Sequence, residues 1–156
     1  MRKYLLVFLI SMVPLVELRG AVPVGIGMDL PVIPTILVSV LGNLLPVPFI
    51  YMFARKFLLW GSNRPRLGRF CRFFLVKGEQ IGQQLTKKKG RWRLIVALIL
   101  FVGIPLPGTG AWNGTLAASF LNMGRRATAL AVTLGAIMAG TIMAVVSMLG
   151  LHIFGM

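Results

Sequence analysis

Two long stretches without a charged side chain constrain this fold more than any other feature. Residues 30–54 and 127–151 are each 25 residues long and contain no Lys, Arg, Asp, Glu or His. A helix needs about 20 apolar residues to cross the hydrocarbon core of a bilayer. Both stretches are long enough, so we predict an all-α integral membrane protein with two full transmembrane helices.

Two further apolar stretches are too short to cross a bilayer as helices. Residues 4–16 and 94–104 contain 13 and 11 residues, which as helix reach only about 20 and 17 Å at about 1.5 Å per residue. Each is followed by a break rich in Gly and Pro and then by a second short apolar stretch, at residues 24–28 and 111–123. This order predicts that each short pair enters and leaves the membrane on one side.

The breaks, at residues 17–23 and 105–110, carry the functional prediction. Lipid offers no partner to a backbone N–H or C=O, so non-helical backbone at membrane depth must be buried in protein or line a polar cavity. We predict two re-entrant helical hairpins that share an internal cavity. For the first hairpin, a Pro-kinked spanning helix over residues 4–28 is the alternative.

The two halves of the chain resemble each other weakly. A Pro-Leu pair precedes a Gly-Ala pair in both, at Pro14 and Gly20 in the first half and at Pro105 and Gly110 in the second. If the connecting segment is cytoplasmic, the halves cross the membrane in opposite senses, and we predict an inverted repeat, an architecture typical of transporters. The predicted single membrane domain, residues 1–156, comprises a first hairpin and span (1–54), a basic segment (55–93) and a second hairpin and span (94–156).

The formal net charge is +14, from 17 Lys and Arg against three acidic residues. Twelve of the basic residues lie between Arg55 and Arg93, between apolar stretches, where a positive excess marks the cytoplasmic side. This predicts a multi-pass protein of a bacterial or archaeal inner (plasma) membrane, with anionic lipids of the inner leaflet as partners and no nucleic acid. Strict inversion places Arg2 and Lys3 outside whereas their charge prefers the inside, so the side of the N-terminus stays open.

The basic segment has the pattern of a surface helix. Ser62, Asn63 and Pro65 provide a helix start, and apolar residues then recur at helical spacing. We predict a cytoplasmic amphipathic basic helix that lies on the inner leaflet, anchored by residues 87–89 and by Trp92.

Glu17 is the strongest candidate site residue. A charge near the bilayer centre costs roughly 2.5–3.5 kcal/mol, and such residues are usually functional. We predict that Glu17 binds a coupled proton, with Asp29 either a second proton-coupling residue or a helix cap. Arg19 and Gly20 are predicted to contact substrate, and Arg55 either joins them or extends to the membrane surface. The alternative for Glu17 and Arg19 is a solvated loop.

The second break supplies the other half of the predicted substrate site. Its backbone is open just ahead of a helix predicted to begin near Ala111, whose N-terminal amides form an anion site. The substrate-binding candidates here are Gly108, Thr109, Gly110, Trp112 and Asn113. The alternative is a glycine-rich turn that only reverses the chain.

Catalytic chemistry finds no support in the sequence. The single histidine, His152, and the three acids lie in different segments, and Cys71 is the only cysteine. No triad, metal set or phosphate-binding loop can be assembled from them. We therefore expect no enzymatic activity, no metal and no cofactor.

Two motifs resemble a known family. Residues 17–23 (ELRGAVP) and residues 105–112 (PLPGTGAW) together are similar to the small multidrug export protein family, and the likeness covers nearly the whole chain. That family resembles in turn the DedA/VTT superfamily, also described as SNARE-associated Golgi protein-like. Its two opposed re-entrant hairpins meet at mid-membrane, and its members are linked to lipid scrambling or to proton-driven polyprenyl-phosphate translocation.

The DedA resemblance implies specific roles. Glu17 and Asp29 are similar in placement to the acidic pair held to be needed for proton coupling. The segment that follows also looks alike, at Gly42, Asn43, Tyr51 and Arg55. The second hairpin departs from the DedA pattern, because residues 102–123 hold no arginine where DedA members carry them.

We therefore predict a small secondary transporter, proton-coupled at Glu17, that moves an amphipathic or anionic lipid-like substrate of the polyprenyl-phosphate type. The alternatives are an exporter of small lipophilic drugs and a non-transporting membrane scaffold that binds lipids through the basic segment. Two spans and two hairpins leave much hairpin backbone to cover, which favours a homodimer.

Overall fold

The computed structural model describes residues 1–14, 16–63, 88–106 and 109–154, with residues 68, 69, 71–73, 76 and 80 of the basic segment. Within these ranges the regular structure is α-helical. The helices are α1 (Arg2–Met12), α2 (Glu17–Gly27), α3 (Val32–Leu44), α4 (Val47–Ser62), α5 (Lys88–Gly103), α6 (Ala111–Phe120) and α7 (Arg125–Phe154).

In the part of the chain that the structure describes, two stretches of helix are long and apolar enough to cross a membrane, as predicted. They are Val32–Ser62, with 31 residues and a mean hydropathy of 2.0, and Arg125–Ile153, with 29 residues and a mean hydropathy of 2.2. The first combines α3 and α4, which are separated at Leu45 and Pro46. Proline has no backbone N–H and crowds the preceding turn, which accounts for the interruption there.

The polarity of the fold is that of a protein dissolved in lipid. Large apolar side chains of the spans point outward, with Leu41 63% and Phe53 71% exposed, while Ser39, Asn43 and Thr128 are buried. Water as solvent would favour the opposite distribution. The apolar spans and their outward-facing side chains identify a membrane protein.

Helix packing follows the same scheme in each half of the chain. Helices α1, α2 and α3 pack against one another, and so do α5, α6 and α7. The halves are joined because α2 and α3 also pack against α7, and α4 packs against α6. Leu18 of α2, Val40 of α3 and the small residues Ala136 and Ala139 of α7 form the apolar cluster at the centre.

The two short inner helices, α2 and α6, end in the same way. Asp29 (φ 61°) follows α2 and Asn122 (φ 53°) follows α6, both in the left-handed region. Beyond the end of α2 the amide of Leu30 donates to the carbonyl of Gly25, and beyond the end of α6 the amide of Met123 donates to the carbonyl of Ala118. This six-residue closure is the Schellman motif, which satisfies carbonyls at a helix end.

The first break lies earlier than predicted. Residues 17–23 form most of α2, and the chain is interrupted instead ahead of Glu17, where α1 ends at Met12 and Val13 is extended. The residue before a proline is disfavoured in helix, so Pro14 ends α1. Pro23 lies inside α2, where it removes one backbone hydrogen bond without ending the helix.

The basic segment also differs from its prediction at both ends. Ser62 ends α4, with its hydroxyl donating to the carbonyl of Leu59, and does not begin a new helix. Helix α5 begins at Lys88, six residues before the short apolar stretch 94–104, because Lys and Arg are good helix formers. Most of the predicted amphipathic helix over residues 62–89 lies outside the described residues.

Candidate functional site

The carboxylate of Glu17 is buried at the point where the two halves meet. Glu17 is the first residue of α2 and is 4% exposed. Its Oε2 accepts a hydrogen bond from the amide of Ala111 at 3.3 Å, and its Oε1 accepts one from the amide of Trp112 at 3.1 Å. These are the first two residues of α6, whose amides have no partner within their own helix. A carboxylate of one half therefore caps a helix of the other, where the helix dipole favours negative charge.

Gly110 makes this approach possible. Its φ of 126° lies in a region that other residues rarely adopt. A Cβ at this position would lie 2.1 Å from Oε2 of Glu17, far inside van der Waals contact. Glycine is required here by its conformation and by the carboxylate beside it.

Arg19 makes the second contact between the halves. Its guanidinium donates to the carbonyl of Leu106 and to Oγ1 of Thr109. The Thr109 hydroxyl lies 2.8 Å from the carbonyls of both Ile104 and Leu106, to one of which it donates. Arg19 therefore binds the turn that precedes α6, a few residues before the amides that bind Glu17.

Backbone strain marks the same place. Glu17 has a φ of 50°, an uncommon conformation for a residue with a side chain, of the kind that clusters at functional sites. The chain is helical from Glu17 onward, so Arg19 lies within the first turn of α2. The two side chains reach different parts of the second half.

The other substrate-binding candidates predicted in the two breaks lie in different surroundings. Trp112 is half-buried, and its indole Nε1 is buried without a hydrogen-bond partner among the described residues. Gly20 lies within α2 and faces the side chain of Val16. Asn113 is exposed, and Gly108 lies outside the described residues.

Asp29 is separated from Glu17 by the whole length of α2. Twelve residues of helix correspond to about 18 Å, and Asp29 is exposed at the end of α2. It does not cap the next helix either, since Pro31 holds that position and no side-chain cap is present. Its observed place is the left-handed position that terminates α2.

Arg55 belongs to a different place in the fold. Its Nη1 donates to Oδ1 of Asn122 after the end of α6, and nearby the hydroxyl of Ser119 donates to the carbonyl of Tyr51 at 3.1 Å. The length of α6, about 15 Å, separates this contact from Glu17. The structure thus brings together Glu17, Arg19, Thr109, Gly110 and Trp112, which we name the central site, and leaves Arg55 and Asp29 outside it.

Residues 17–142 match the sequence model of the family described as "Putative small multi-drug export protein". The chain belongs to this family. The match begins at Glu17 and includes all residues of the central site. The description is that of a transporter and not of an enzyme, and it agrees with the drug-export alternative of the sequence analysis. No curated protein and no solved structure matches the chain.

This export-family chain also has buried polar residues that received no role of their own from the sequence. Thr35, Ser39 and Asn43 form a stripe at four-residue spacing along α3, and all three are fully buried. Thr35 donates to the carbonyl of Pro31, whereas Ser39 Oγ and both amide atoms of Asn43 have no partner among the described residues. The spacing of polar residues in an otherwise apolar span was the available signal.

The stripe ends at the depth of the central site. A Cβ on Gly25 of α2 would meet Thr35 of α3. Glu17 and Asn43 each lie eight residues, or about 12 Å of helix, farther from the turn that joins the two helices, so they lie at the same level. Unpartnered polar atoms inside a membrane protein are costly unless they contact water or a ligand. The central site and the stripe together give the two halves a polar interior.

Proposed function

We propose that this chain is a small proton-coupled secondary transporter of the inner membrane, in which the carboxylate of Glu17 is exchanged for substrate at the N-terminus of α6. The observation that carries the proposal is the position of that carboxylate. It is buried, it belongs to one half of the chain, and it occupies the backbone amides of the other half.

Protonation would weaken the hold of Glu17 on α6. Hydrogen bonds in which the acceptor is ionised are roughly twice as strong as neutral ones. A neutral Glu17 therefore releases the amides of Ala111 and Trp112, which can then receive another anion. Proton binding and exposure of the site are two aspects of one event, which is the requirement for coupling.

The groups around the released position are donors. They are the two amides and the Arg19 guanidinium, which donates to the turn just before α6. Such a set fits an anionic headgroup better than a cation. We therefore propose an amphipathic anion of the polyprenyl-phosphate type as substrate, with its apolar part in the lipid.

The family description favours a second candidate, export of small lipophilic drugs. A lipophilic cation would pair with the carboxylate of Glu17 and contact the ring of Trp112. The two candidates differ in the direction of coupling. An anion binds with the proton, so both move the same way, whereas a cation competes with the proton for Glu17, so they move in opposite directions.

The same packing supports the proposed topology. Each half contains a short helix pair packed on a long span, and both inner helices end in the same Schellman motif. We propose that α1 with α2 and α5 with α6 are re-entrant hairpins in an inverted repeat, with the basic segment cytoplasmic. A homodimer would cover hairpin backbone that a single chain leaves toward lipid.

The test is proton flux in proteoliposomes driven by substrate, with polyprenyl phosphates, anionic phospholipids and lipophilic cations compared in turn. Wild type should couple flux to one class, and Glu17→Gln should lose the flux while remaining folded. Glu79→Gln is the matched control, because it removes the same charge from the basic segment. Flux retained in Glu17→Gln would reject Glu17 as the proton site, and folded wild type without flux for any class would favour a scaffold.

A further inference from the structure

A groove on the surface of the helix bundle, away from the central site, has the character of a lipid-binding site. Two cavities of about 320 and 360 Å³ lie between α4 and the beginning of α7. They share Tyr51, Met52 and Arg125 in their linings, so they form one continuous groove. We name it the α4–α7 groove.

The two ends of the groove differ in polarity. One end is lined by Leu44, Val47 and Pro48 and the other by Arg55 and Lys56, while Arg125 lies between them and lines both cavities. None of the described residues that line either cavity is acidic. Three cations without a facing acid favour an anionic ligand.

The spacing along α4 matches the shape of a phospholipid. From Arg55 back to Val47 the helix covers eight residues, or about 12 Å, and over this distance the lining changes from basic to apolar. A headgroup phosphate at the basic end would therefore place the first part of an acyl chain at the apolar end. Met52, which is shared by both cavities and half exposed, bridges them with a flexible side chain.

We propose that the α4–α7 groove binds one anionic phospholipid, with the phosphate between Arg55, Lys56 and Arg125 and an acyl chain toward Leu44. The site is independent of the proposed transport, because it shares no residue with the central site. Its basic end joins the basic segment, which places the lipid in the leaflet that the positive charge marks as cytoplasmic.

The test uses the purified full-length protein in detergent, titrated with dioleoyl phosphatidylglycerol or dioleoyl phosphatidylcholine and observed by native mass spectrometry. We expect one phosphatidylglycerol to bind ahead of any phosphatidylcholine. Arg125→Gln should weaken that binding about fivefold, the effect of one basic residue near a lipid headgroup. Arg126→Gln is the matched control, since Arg126 is adjacent and exposed but outside both linings, and it should leave binding unchanged.

A second variant tests the apolar end. Ala129, exposed and part of the apolar lining, can be replaced by Phe to fill the cavity, and Ala129→Phe should also lose the bound lipid. Soluble glycerol 3-phosphate should not displace it. Equal binding of both lipids, an unaffected Arg125→Gln, or displacement by glycerol 3-phosphate would overturn the proposal. A change of oligomeric state in Ala129→Phe with lipid binding intact would overturn it in favour of a contact between copies.

Discussion

The two short helix pairs each pack on a long apolar span, but they contribute different chemistry to the central site. The first pair supplies charged side chains, Glu17 and Arg19, and the second supplies mainly backbone, through the amides of α6 and the carbonyl of Leu106. Both inner helices pack against α7, and both end in a Schellman motif. The two pairs thus share a packing arrangement, whereas the charged side chains of the central site come from the first pair alone.

This division has a physical reason. Two buried charges of the same sign facing each other would be costly, whereas a carboxylate facing helix N-terminal amides is stabilised without a second charge. A guanidinium facing carbonyl and hydroxyl oxygens is satisfied in the same way. The central site is therefore built from charge on one side and oriented dipoles on the other, and each half is incomplete without its counterpart.

The largest expected effect comes from Gly110, compared with Gly20, the glycine of the matching Gly-Ala pair in the first half. Gly110→Ala should destabilise the protein strongly, because its φ of 126° alone costs roughly 1–3 kcal/mol for another residue and its Cβ would overlap Glu17. Gly20→Ala should change the free energy of unfolding by no more than about 1 kcal/mol, because Val16, which its Cβ would overlap, is exposed and can change rotamer, and Ala favours helix over Gly.

Thermal unfolding in detergent measures both glycine variants directly. Gly20→Ala serves as the control, because it adds the same methyl group to the other half. Equal destabilisation by the two substitutions would contradict the assignment of the close approach to Gly110. A stable Gly110→Ala with normal transport would show that Glu17 does not need its contact with α6.

A smaller effect is expected from the shape of Arg19. Arg19→Lys keeps the charge but loses the fork that reaches the Leu106 carbonyl and Thr109 Oγ1 together. The transport rate of Arg19→Lys should fall. The rate of Thr109→Val should also fall, because this variant lacks the side-chain acceptor, whereas the rate of Thr109→Ser should remain near that of wild type. In the double variant the two losses should not add, since contacting residues typically couple by 0.5–3 kcal/mol, roughly.

Measurement of all four proteins, wild type, both single variants and the double, in the same flux assay gives the coupling between Arg19 and Thr109. Additive losses would mean that the two residues act separately. That outcome would mean that the Arg19–Thr109 hydrogen bond is not part of the transport site, and that Arg19 acts through its contact with the Leu106 carbonyl alone.

The sequence predicted both spans and the start of α6, but not the way the halves meet. Uncharged length identified both spans, and the glycines before Ala111 identified the start of α6. The position of the first break was wrong because Gly20 and Pro23, which usually interrupt helices, are accommodated in α2 between α1, α3 and α7. Packing outweighed local preference there.

The contacts of Glu17 could not be predicted from the sequence, for a different reason. The carboxylate and its amide partners are 94 and 95 residues apart, and no local pattern records a helix capped from another half of the chain. The buried stripe on α3 was visible as spacing, but spacing alone did not show which face would be covered. Long-range geometry decided both cases.

The smallest expected effect distinguishes the turn role of Asp29 from its predicted role in proton coupling. Asp29 and Asn122 hold equivalent left-handed positions after α2 and α6, where Asn, Asp and Gly are tolerated. Asp29→Asn should therefore change the free energy of unfolding by less than about 0.5 kcal/mol and leave proton flux intact. Asp29→Val should destabilise by about 1–2 kcal/mol, because a β-branched residue is strained there. Loss of flux in a stable Asp29→Asn would mean that the carboxyl group itself is needed, and that α2 carries a proton-binding group at each end.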